Sequence, residues 1–135
     1  MNSLENENSK QFDYLKVLKA LDSMPFSIGK NLLIDFLHGN DKNESIKRNK
    51  LNKKILFGIL QLCSRQEIND FIENLLHNGL IEYRQLENNK FVKVLSITEK
   101  GRQEILNPIL HKKKLSNNFS VKETAHHLWP WLNFL

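Results

Sequence analysis

Six basic residues fall between Ser45 and Gln66, and no acidic residue stands among them: Lys47, Arg48, Lys50, Lys53, Lys54 and Arg65. Cations held at that density suit a phosphate backbone, which they can neutralise without reading sequence. Lys53 and Lys54 precede an apolar run and could clamp such a backbone as point charges. Ser64 opens an S-x-x-E capping box with Glu67, so a helix begins there. The unpaired N–H groups and positive dipole end of a helix start form a seat for an anion, with Ser64, Arg65 and Gln66 placed at it. Lys100 stands in the first turn of a later helix, against that helix's dipole, a placement that fits a nearby phosphate. Asn89 and Lys90 complete the candidate set at the tip of a hairpin. The same lysines also fit a plain solvated surface, so charge alone leaves two readings open.

Other chemistries find no support. The five histidines, His38, His77, His111, His126 and His127, form no Ser/His/Asp set. Adjacent His126 and His127 would point to different faces of a helix, which argues against a shared metal. Cys63 is the single cysteine, so no internal disulfide or multi-cysteine zinc site can form. There is no carboxylate pair and no glycine-rich phosphate loop. No catalytic residue, cofactor or metal is expected.

The bulk properties agree with a nucleic-acid partner. The chain has 135 residues, a net charge of +5 and a pI near 9.4. From Glu67 to Asn89 the balance reverses, with five acidic residues against Arg84, and positive charge returns at Lys90, Lys93, Lys100 and Arg102. Mean hydropathy is −0.47 and no long apolar run exists, so no membrane span is expected. The polar N-terminus has no apolar signal core, which makes the cytoplasm the expected compartment.

The elements that must position these residues can be read in order. Residues 1–9 are rich in Asn and Glu and are expected to be a disordered tail. Phe12, Leu15, Leu18 and Leu21 share a face and predict a helix from Lys10 to Leu21, broken at Ser23-Met24-Pro25. Ser27 is expected to cap a second helix with a wide apolar face (Ile28, Leu32, Leu33, Phe36, Leu37), stopped by Gly39. Asn40 to Glu44 reads as a loop. Ile55 to Leu60 reads as a short strand pairing with the hairpin, with Gly58 marking a turn or close backbone approach. Ile68, Phe71, Ile72 and Leu75 form one stripe of the Ser64 helix, with Cys63 and Ile68 as a hydrophobic staple, and Gly79 supplies its left-handed end. Leu80–Leu86 and Phe91–Ile97 are strands around the turn Glu87-Asn88-Asn89-Lys90. Thr98 caps a final helix ending at Asn107-Pro108. Residues 108–135 read as a linker, then a short apolar helix or tail with Trp129 and Trp131. Helix, hairpin and helix define a mainly α fold with a small β-hairpin, a winged helix.

The pattern Phe26-x-x-Gly29-x-x-x-Leu33-x-x-x-Leu37-x-Gly39-Asn40, followed by a basic connection with Leu51 and Phe57-Gly58, resembles the RQC (RecQ C-terminal) domain of RecQ-family DNA helicases. The continuation through Leu75-Leu76-x-x-Gly79-Leu80-Ile81 to Leu95-x-Ile97-Thr98-Glu99 is similar as well. The resemblance covers about residues 10–107. It implies a module that binds duplex or branched DNA in replication and repair, beside a helicase motor in cis or in trans. In several relatives the wing hairpin parts the strands with an aromatic residue at its tip. Here the tip lacks one until Phe91, which starts a strand and is expected to pack on the hairpin. The motor's G-x-x-x-x-G-K-[ST] loop and a four-cysteine zinc module do not occur in this sequence, so ATP hydrolysis is not expected of it. A dimeric winged-helix transcription regulator and a protein–protein adaptor are the rival readings of the same fold.

Overall fold

The computed structural model describes residues 12–86 and 88–110. Five α-helices and one antiparallel hairpin follow in the order α1 (Asp13–Asp22), α2 (Lys30–His38), α3 (Glu44–Arg48), α4 (Arg65–His77), β1 (Ile81–Leu86), β2 (Asn89–Ile97) and α5 (Glu99–Leu106), with a short 3-10 turn at Leu51–Lys53. This is the expected mainly α winged helix. No helix among the described residues is long and apolar enough to cross a membrane. The expected tails, 1–9 and most of 108–135, lie outside the described residues.

The core forms where the apolar stripes of α1, α2 and α4 meet the hairpin. Leu18, Leu33, Phe36, Leu37, Ile68, Ile72 and Leu75 are fully buried there with Leu80, Ile81 and Leu95. Each such side chain contributes about 1.5–3 kcal/mol of burial. Helix ends follow local chemistry. Asn107 closes α5, and Gly39 and Gly79 turn with φ +84 and +76, values that a side chain disfavours. Thr98 accepts the Gly101 N–H at 3.1 Å to cap α5 and donates to the Gly79 carbonyl at 2.7 Å.

Two expectations fail for the same reason, a partner that lies far along the chain. Ser27 does not cap α2; Gly29 precedes it, because Ile28 is held extended by a bridge to Leu95, whose N–H donates to the Ile28 carbonyl at 2.8 Å. Ile55 to Leu60 is not a strand. It is a run of turns pinned to the end of α2, where Gly58 and Leu60 donate to the Phe36 and Leu37 carbonyls at 2.8 and 2.9 Å. Ile28, not the Ile55 run, therefore supplies the third strand position of the wing. Gly58 does mark a close approach: a Cβ on Gly39 would lie 3.2 Å from the Gly58 Cα. Phe57 meets Phe36 edge-on, with ring centroids 5.7 Å apart, and this fastens the turn run to the core.

Candidate nucleic-acid interface

The capping box at α4 forms as its spacing requires. Ser64 Oγ accepts the Glu67 N–H at 3.0 Å and Glu67 Oε1 accepts the Ser64 N–H at 2.7 Å. The Arg65 and Gln66 N–H groups remain without a hydrogen-bond acceptor among the described residues. Their side chains are engaged: Gln66 donates to Asp70 at 2.8 Å, and Arg65 forms an ion pair with Asp35. The Glu67 carboxylate already supplies one negative charge at this helix start.

The basic connection is ordered by a second cap. Asn43 Oδ1 accepts the Ser45 and Ile46 N–H groups at 2.8 and 3.2 Å and so starts α3, at a position whose sequence reads as the end of a loop. Lys47 and Arg48 fall in the last turn of α3, where cations suit the dipole. Lys50 reverses the chain with φ 56 and leads into the 3-10 turn that carries Lys53. Lys47, Arg48, Lys50 and Lys53 are exposed and Lys54 is half-buried. None of the five forms an ion pair with another described residue.

Asp35, near the end of α2, ties these segments together. It accepts from Arg65 of α4 and, at 2.7 Å, from the Nδ2 of Asn43. At the opposite end of α2, Lys30 pairs with Glu73 of α4 at 2.6 Å, so the two helices run antiparallel. The nine residues of α2 place its ends about 14 Å apart. The helix start and basic connection lie at one end, and the wing, joined through Ile28, at the other.

At the wing, the register runs from Ile81↔Ile97 to Gln85↔Lys93 and then jumps to Leu86↔Asn89. Lys90, Phe91 and Val92 thus have no counterpart on β1 and form a bulge. The bulge is shaped by Asn89, whose Oδ1 accepts the Phe91 N–H at 3.1 Å. Phe91 does not pack on the hairpin as its strand position implied; it is 97% exposed. A regular strand would have turned its ring toward a cross-strand neighbour, and the bulge removes that neighbour. The Lys90 side chain is outside the described residues. Lys100 donates to the Asn78 carbonyl at 2.9 Å, so the charge opposed to the α5 dipole meets the negative end of α4.

The structure thus brings Lys47, Arg48, Lys50, Lys53, Lys54, Ser64, Arg65 and Gln66 to one end, and sets Asn89, Lys90 and Lys100 apart from them. Asp35, Asn43 and Phe91 are the residues that sequence reasoning passes over as interface parts. Only Asn43 leaves a signal, an Asn directly before an acidic first turn. No curated protein matches the chain. The family model described as the RQC domain matches residues 11–125, and the chain belongs to that family, the winged-helix DNA-binding module of RecQ helicases.

Proposed function

We propose that this domain grips duplex or branched DNA through its phosphates with little regard to sequence, as an accessory module to a RecQ-type helicase motor in replication or repair. The observation that carries the reading is the row Lys47, Arg48, Lys50, Lys53 and Lys54, set on capped and hydrogen-bonded turns without ion pairs among the described residues. Such cations keep their full charge for a polyanion. The exposed side of α4 argues against a helix lying along a groove to read bases, because Glu67 and Asp70 stand on it without a cationic partner among the described residues, while Glu73 beside them is paired with Lys30. Phosphates would repel that face, so the dimeric-regulator reading loses its recognition helix.

Phe91 adds a role at duplex ends. A ring in water at the tip of a bulged hairpin can stack on a terminal base pair, an interaction worth about 1–3 kcal/mol per base, and so help a motor part the strands. The test compares blunt duplex, fork and single strand at several salt concentrations. Steep salt dependence with tighter binding to the fork is expected. Affinity that barely changes with salt, or no binding to any DNA form, refutes the proposal.

A further inference from the structure

Asp35 is mostly buried, its side chain 13% exposed, whereas its partner Arg65 is 48% exposed at the start of α4. Both carboxylate oxygens are used. Oδ1 accepts from Arg65 Nη1 and Oδ2 from Asn43 Nδ2, and the Asn40 side chain bonds to the same group. Burial pushes the carboxyl up, but the hydrogen bonds from Asn43, Arg65 and Asn40, with the Arg65 charge, outweigh it and hold the group below the ordinary value. Asp35 is therefore an anion at neutral pH.

A DNA phosphate approaching this helix start meets a pair of zero net charge. Drawing Arg65 away would leave a mostly buried carboxylate with only neutral donors, which is uphill, and a phosphate that met its other N–H groups in place would still face a pair of zero net charge. Arg65 differs in this from the basic row beside it. We infer that Asp35 is a built-in counter-anion that withholds Arg65 from phosphate binding, so that Arg65 joins the interface only when Asp35 is neutralised. The inference rests on the DNA-binding reading above. Asp35 touches no DNA in this scheme; it positions Arg65.

The slope of log affinity against log salt counts the phosphates engaged and is blind to a merely structural role. It would be measured on forked DNA with the 135-residue chain and its Arg65→Ala, Asp35→Asn and doubly substituted forms. Arg65→Ala should leave the slope unchanged. Asp35→Asn should steepen it by about 0.9 and tighten binding about 5- to 10-fold at 0.1 M salt, as one more neutralised phosphate would. The double variant should return to the parent slope. A slope lowered by about 0.9 in Arg65→Ala would overturn the inference, since Arg65 would then already hold a phosphate; so would an Asp35→Asn slope equal to the parent's. If circular dichroism shows Asp35→Asn unfolded, Asp35→Ala, which removes the same charge, takes its place, and a lowered slope in a folded Arg65→Ala still overturns the inference. A parent chain without salt-dependent binding sinks this inference together with the DNA-binding reading, whereas steep parent binding with the wrong pattern sinks the inference only.

Discussion

Phe91 gains nothing from the fold, since a ring 97% exposed has almost no buried surface to lose. Phe91→Ala should therefore change unfolding free energy by no more than about 0.5 kcal/mol. If the ring stacks on a duplex end, the same change should remove most of a preference for forked over continuous duplex, a loss of about 1–3 kcal/mol. Thermal unfolding and paired affinity measurements separate the two effects, and an equal loss on every DNA form would contradict an end-specific role. Asp35 makes the complementary case of a residue whose charge matters to the fold. Its carboxyl is held below the ordinary value of 3.8, so it stabilises the folded chain above that pH, and the contribution is lost as pH falls through the lower, folded value. Denaturant unfolding from mildly acidic to strongly acidic pH should show the gap between the parent chain and Asp35→Asn closing as acid is added. A gap that stays constant across that window would show that the charge of Asp35 is not what stabilises.

The elements divide by where their instructions lie. The Ser64 capping box, the Gly79 stop and the Thr98 cap are legible because each depends on residues within a few positions of one another. Ser64→Ala should cost about 1 kcal/mol, seen as a fall in melting temperature of roughly 4–8 °C for a domain of this size. The start of α2 and the Ile55 run are not legible, because Leu95 and the Phe36 and Leu37 carbonyls decide them, and no local pattern announces those partners. The candidate site shows the same split. The basic row is visible as composition, while the Asp35–Arg65 pair joins residues thirty positions apart and the exposure of Phe91 follows from a register jump. Gly101 belongs with the hidden features, since nothing around it in sequence demands glycine. A Cβ there would lie 2.2 Å from the Leu80 carbonyl oxygen, which is backbone and cannot swing aside. Gly101→Ala should cost about 3 kcal/mol by forcing α5 off the hairpin, and an unchanged denaturant midpoint would show that α5 yields freely.

At the scale of the whole molecule, α2 acts as a spacer. Its N-terminal end meets the wing through Ile28 and its C-terminal end holds the basic connection and the start of α4 through Asp35. About 14 Å of helix separates the two, so on the proposed reading a duplex would be held by phosphates at one end while its terminus met the ring of Phe91 at the other. Sites farther apart than roughly 7–10 Å and without shared partners combine additively in free energy. Replacing Lys47, Lys53 and Lys54 together by alanine should flatten the salt slope by about 0.9 for each phosphate left without its cation, and weaken blunt duplex and fork alike. Adding Phe91→Ala to that variant should then subtract the same fork preference that it removes from the parent chain. A combined loss well short of the sum would mean that both ends compete for one stretch of DNA, and the spacer role of α2 would have to be given up.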